Sequence, residues 1–195
     1  MRSWVRRAHL STGGRTYMDH SPVRASETVV GTRDQQTVSA GGARATLPKI
    51  AGLQIVELGN VLTRSGSLLE LFRKDWPSIA IGVQQVNWVH LNPGSVTDWH
   101  RHALQTDHLV GVGGNIRLAL WDGRAEAPMH GASEVIRLGA LRPVLVIVPP
   151  GVWHALRNES GAPAGYLNMV DRLYDYARPD NYRLAPGTPG VPDIL

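Results

Sequence analysis

The chain has 195 residues, enough for one ordinary domain and too few for two comfortable ones. With 43% hydrophobic and 18% charged residues it reads as globular, not disordered. Cysteine is absent, which excludes disulfides, thiolate nucleophiles, iron–sulfur clusters and cysteine-based zinc sites.

Residues 1–46 come first and hold Arg2, Arg6, Arg7, Arg15, Arg24, Arg33 and Arg44 against Asp19, Glu27 and Asp34. They carry the whole formal net charge of +4, leaving 13 of the 20 basic and 13 of the 16 acidic residues to the body, 47–195. A neutral body argues against a groove-binding nucleic-acid domain. Arg6–Arg7 is followed by no apolar signal region, and no run approaches the roughly 20 apolar residues of a membrane helix. The expectation is a flexible basic N-terminal arm on a cytoplasmic, soluble domain.

From Leu47 the pattern is one of short strands. Ile55–Glu57 and Leu68–Phe72 flank a turn at Ser65–Gly66. Ile79–Leu91 reads as a long strand sandwiched between two sheets. His108–Val112 and Ile116–Trp121 flank Gly113–Gly114–Asn115, a hairpin signal. Ile116, Leu118 and Leu120 alternate with Arg117 and Ala119, the period of a strand with one buried face. Val135–Leu138, Val144–Val148, Ala155–Leu156 and Tyr166–Val170 complete the set. A short helix is predicted near Asp171–Tyr176, and Pro186, Pro189 and Pro192 keep the tail irregular. With Gly 21, Pro 13 and one Phe, this points to an all-β sandwich or barrel.

Two segments carry the chemistry. His100 and His102 stand at i and i+2, so a strand points both to one face. Asp107 follows on the returning strand and can add a hard oxygen ligand. In the second segment Pro149–Pro150–Gly151 forces a corner, and His154 opens the next strand. His100, His102, Asp107 and His154 are therefore the candidate ligands of one divalent ion, Fe, Mn, Ni or Zn, with positions left open. No organic cofactor is indicated. His108 falls on the opposite face from Asp107 in a regular strand, and Trp99 and Trp153 fall on the face opposite the histidines they precede.

These segments resemble the paired motifs of the cupin superfamily, G-x5-H-x-H-x3,4-E-x6-G and G-x5-P-x-G-x2-H-x3-N. Asp107 takes the place of the Glu, and Pro143 stands where the second leading Gly belongs. The resemblance implies a cupin double-stranded β-barrel of jelly-roll type. From about Ile50 to Arg183 the chain also resembles the dTDP-4-dehydrorhamnose 3,5-epimerase family. The stretch from Gly66 to Arg73, the Gln85-Val86-Asn87 triplet, the run Val148 to His154 and the segment Tyr174 to Asp180 carry the likeness. It implies a small-molecule substrate of nucleotide-sugar type and a homodimer. Glu70, Gln85 and Asn87 would face that substrate, and His100 would abstract the proton next to its 4-keto group. The departures are Thr97, His102 and His108, where that family has Arg, Gln and Lys, and Asn168 near its catalytic Tyr. Tyr166, on the same face of its strand as Asn168, is the substitute acid. The reading is an epimerase-type proton transfer beside a carbonyl, metal-assisted if the four ligands are filled. An iron-dependent oxygenase and a non-catalytic ligand-binding cupin are the alternatives.

Overall fold

The computed structural model describes residues 36–41, 48–76, 82–185 and 187–195. Its strands are β1 (Gln54–Glu57), β2 (Asn60–Thr63), β3 (Gly66–Leu69), β4 (Gln85–Leu91), β5 (His100–Arg101), β6 (Asp107–Val112), β7 (Asn115–Trp121), β8 (Ser133–Gly139), β9 (Val144–Val148), β10 (Trp153–Asn158), β11 (Ala164–Val170) and β12 (Tyr182–Arg183). Among the described residues there is no helix. The expected N-terminal arm lies outside them apart from residues 36–41.

The strands form two antiparallel five-stranded sheets, in the orders β1-β9-β6-β11-β4 and β12-β5-β10-β7-β8, with β2 and β3 as a separate ribbon. No ladder among the described residues joins the two large sheets, so they form a sandwich of facing layers, not a closed barrel. Between them lies the main core, with Leu109, Val146, Val148 and Tyr166 from one sheet against Ile116, Leu118, Leu120, Ile136, Leu138 and Leu156 from the other. Burying each large aliphatic side chain contributes about 2 kcal/mol.

The first sheet is covered on its outer face as well. Val110, Leu145, Ile147 and Met169 pack there under Val56, Leu69, Leu71, Phe72 and Trp76. That double cover explains the fully apolar β9, all of whose residues are buried.

Three local expectations are corrected. The Gly113–Gly114–Asn115 turn does not make a hairpin, because β6 belongs to the first sheet and β7 to the second. It is a tight corner between layers. Gly114 has a φ of 63°, and a Cβ there would meet the Ala164 Cβ at 2.6 Å, so only glycine fits. The residues paired in a true hairpin are β7 and β8, joined through Asp122–Ala132.

The long strand expected over 79–91 is also different. Residues 77–81 lie outside the described set, and β4 is an edge strand of the first sheet. Its residues alternate, with Gln85, Asn87 and Val89 half-buried and Val86, Trp88 and His90 exposed. Finally, the helix expected at Asp171–Tyr176 is an irregular strap. Its backbone groups are taken by side chains instead: Tyr174 N–H donates to Gln85 Oε1 at 3.0 Å, and Asp175 Oδ1 accepts from Ala177 and Arg178. Such local acceptors compete with helical bonding.

Candidate active site

At one end of the sandwich the sheets part around a cavity of about 1420 Å³. Antiparallel registers bring its residues together. His100, opening β5, stands opposite His154 on β10. Asp107 opens β6 opposite Val170 of β11, and Asn168 of β11 stands opposite Asn87 of β4.

His100, His102, Asp107 and His154 converge. One ligand-type atom from each lies within 4.8 Å of all the others. The His100 and His154 ring centres are 4.2 Å apart. Each imidazole is oriented the same way. Its Nδ1 faces a backbone carbonyl: Asp98 at 3.0 Å for His100, Val152 at 3.1 Å for His154, and Asp180 for His102. A carbonyl only accepts, so each Nδ1 carries the proton and each neutral ring presents its Nε2 lone pair inward.

Those lone pairs meet a carboxylate. Asp107 Oδ2 lies 3.0 Å from His154 Nε2 and 3.3 Å from His102 Nε2. Yet neither Asp107 Oδ2 nor His154 Nε2 has a hydrogen-bond partner, although both are buried. The other carboxylate oxygen is satisfied, by Gln105 Nε2 at 2.7 Å and Asn168 Nδ2 at 3.2 Å. Acceptors facing acceptors in a buried place ask for a cation between them, either a proton or a metal ion.

The electrostatics separate the members. Burial, and then the His154 ring, push His100 down to about 3. Burial also opposes charge on His102, but Asp107 outweighs it and raises the ring above its ordinary value. Burial works against ionisation of Asp107, yet the His102 and His154 imidazoles hold it well below the usual carboxylate range. Burial, then the Asp107 charge, push Tyr166 up to about 12, so its hydroxyl keeps its proton.

The reach of each group differs too. His102 is held through Nδ1 by the Asp180 carbonyl with its Nε2 turned to Asp107, and His154 is 1% exposed. His100 lines the cavity, and its Nε2 has no hydrogen-bond partner among the described residues. Gln85, Asn87, Tyr166 and Asn168 form the wall beside it. Gln85 Nε2 donates to Asn87 Oδ1 at 2.8 Å, and Asn168 Oδ1 is buried without a partner.

Most residues singled out from the sequence are therefore brought together. Glu70 is not. It lines a separate recess on the outer face of the first sheet with Val56, Leu58 and Trp76, paired to Arg73 at 3.4 Å. His108 faces that outer side as the strand period requires, fully buried, with its Nδ1 2.8 Å from the Met169 carbonyl. Trp88, Trp99, Trp121 and Trp153 stay outside the cavity lining, whose aromatics are Tyr166, Tyr174 and Tyr182. Sequence reasoning missed Gln105 and Asp180, which support the centre from loops.

The sandwich has the jelly-roll fold of cupin-type sugar epimerases. The chain is 30% identical over 139 residues to the probable low-salt glycan biosynthesis epimerase Agl13 of Haloferax volcanii, covering 71% of this chain and 89% of that protein. It is 26% identical over 135 residues to the spore coat polysaccharide biosynthesis protein SpsL of Bacillus subtilis, covering 69% and 89%. Among solved structures, a dTDP sugar isomerase from Desulfovibrio desulfuricans G20 superposes with a TM-score of 0.70 at 27% identity, covering 76% of this chain and 93% of that one. No family model matches. The chain belongs to the family of sugar epimerases and isomerases related to dTDP-4-dehydrorhamnose 3,5-epimerase, and so to the isomerase class of enzymes.

Proposed function

We propose that this chain epimerises or isomerises a nucleotide-linked keto sugar by moving a proton on the carbon next to the ketone. The observation that carries the reading is the division of labour around the cavity. His100 offers a fixed, unprotonated Nε2, while Tyr166 on the same wall keeps its hydroxyl proton.

The steps follow from those states. His100 accepts the α-proton, and the electron pair moves onto the carbonyl oxygen as an enolate. A ring whose conjugate acid titrates near 3 is a weak base, so the enolate must be strongly stabilised. Tyr166 supplies one hydrogen bond to it and a proton for the return step. Gln85 and Asn87 present amides, and the unpartnered Asn168 Oδ1 is an acceptor for a sugar hydroxyl. The Asp107 charge beside His102 and His154 is an opposite-charge partner for the imidazolium formed at His100.

The centre also fits a divalent ion such as Fe, Mn, Ni or Zn. Ligands bound at about 2.1 Å stand roughly 3 Å apart along an edge of the coordination polyhedron, and the Asp107 contacts to His154 and His102 are 3.0 and 3.3 Å. His102, Asp107 and His154 would hold the ion, and the steps above require His100 to stay off it. Such an ion would polarise the substrate carbonyl. An ion held by three residues leaves the His100 lone pair for substrate, whereas a fourth bond removes it.

The test is proton exchange. Protein incubated in D2O with TDP-4-keto-6-deoxyglucose is expected to erase the substrate's α-proton NMR signals without oxygen uptake. Binding without exchange would instead mark a sugar-binding protein, and oxygen consumption with added iron would mark an oxygenase.

A further inference from the structure

Asp180 sits 75 residues or more along the chain from the loop residues it holds, in the strap between β11 and β12. Its carboxylate accepts three backbone N–H bonds, from Ala103 at 2.8 Å, Leu104 at 2.8 Å and Gln105 at 3.0 Å. Its carbonyl accepts the Nδ1–H of His102. Burial opposes its ionisation, but the three N–H donors hold its carboxyl below the ordinary range. The next residues pair with β5, Tyr182 opposite Arg101 and Arg183 opposite His100.

Two routes run from this residue to the reacting groups. One is direct, through its carbonyl to His102, and fixes that ring with its Nε2 toward Asp107. The other passes through the clamped loop to Gln105, whose side chain donates to Asp107 Oδ1 at 2.7 Å. The loop's other ties are few: Thr106 N–H to Asp171, Arg172 to the Leu104 carbonyl, and Gly151 N–H to the His102 carbonyl. None of these sets the direction of the His102 ring.

We propose that Asp180 is a positioning residue: it locks the His102 tautomer and, through Gln105, aims the Asp107 carboxylate. The proposal rests on reading His100, His102, Asp107 and His154 as the reaction centre. Groups that orient reacting or ligating side chains typically matter 10- to 100-fold.

The experiment compares full-length wild type with Asp180→Ala and Asp180→Asn, which retains one acceptor oxygen. Histidine ring nitrogens are read by 15N NMR, and amide exchange is followed at residues 103–105. Asp180→Ala keeps the residue-180 carbonyl but removes the carboxylate that ties the strap to the loop, so the three amides should lose protection and the released strap should no longer fix the His102 Nδ1–H tautomer. His154, held by Val152, should be unchanged and reports that the fold is intact. Asp180→Asn should fall between. On TDP-4-keto-6-deoxyglucose, α-proton exchange should drop roughly 10- to 100-fold in kcat with KM within about twofold. An unchanged His102 tautomer and unchanged protection in Asp180→Ala overturn the proposal. A wild type without proton exchange removes the isomerase reading alone, because the NMR measurements still decide the role of Asp180.

Discussion

Two buried carboxylates flank the corner between β9 and β10, Asp107 opposite Val148 and Asp122 next to Trp121, which pairs with Trp153, yet they have opposite surroundings. Asp122 is fully buried, and Arg124 grips both its oxygens at 2.7 Å from Nε and Nη2 while the Arg124 backbone N–H adds a bond at 3.2 Å. Asp107 is 1% exposed, but its neighbours are imidazoles and amides with no guanidinium among them, and one of its oxygens has no hydrogen-bond partner. The first arrangement is closed and self-sufficient. The second is incomplete, and incompleteness at a buried charge is the mark of a place that receives something.

The largest expected effect lies at the incomplete carboxylate. Asp107→Asn should reduce α-proton exchange by roughly 10²–10⁴-fold, with little change in melting temperature, since it removes an acceptor that faces other acceptors. Elemental analysis of untagged protein should show about one divalent ion in wild type and none in His102→Ala if the cation is a metal. Metal absent from wild type would leave a proton shared by His102 and Asp107 as the cation. Tyr166→Phe should slow exchange by roughly 10–100-fold, through loss of one donor to the enolate. A rate unchanged in Tyr166→Phe would remove that role.

At the closed carboxylate the effects are on stability. Asp122→Asn should leave exchange intact and cost about 1–2 kcal/mol, below the usual loss for breaking a buried pair, because the Arg124 side chain is 28% exposed. That is a fall of a few degrees in melting temperature. The smallest effect is on pH dependence. Burial opposes ionisation of Asp122, but Arg124 holds its carboxyl below the ordinary 3.8. The native state then binds this proton more weakly than the unfolded chain. Its stabilising contribution is present above about pH 4 and is lost as pH falls through the lower native value. Melting curves of Asp122→Asn should be flatter between pH 5 and 3 than those of wild type. Equal slopes would show that the pair contributes nothing.

The same contrast explains what was legible in the sequence. His100, His102 and His154 were readable because a strand's period of two and a proline–glycine corner dictate where they point. Asp107 and His108 were separable for the same reason, one inward and one outward. Partnership over distance was not readable. Arg124 grips Asp122 from only two residues away, whereas Asp180 reaches the 103–105 loop through backbone donors that any residue type supplies. The Gly113–Gly114 corner carries the signal of a hairpin because turn chemistry is the same within a sheet and between sheets. The crowding of Gly114 against Ala164 that distinguishes them exists only in three dimensions. Resemblance groups Glu70 with Gln85 and Asn87, but it follows the β2–β3 ribbon and lies at the other face of the sheet.

The central claim is that His100 is the group that takes the α-proton. Wild type and His100→Asn can be compared in D2O with TDP-4-keto-6-deoxyglucose, recording α-proton loss by NMR and the protein's metal content in parallel. The account predicts exchange in wild type and a loss of roughly 10³-fold in His100→Asn with unchanged metal content. Exchange that survives in His100→Asn would contradict it.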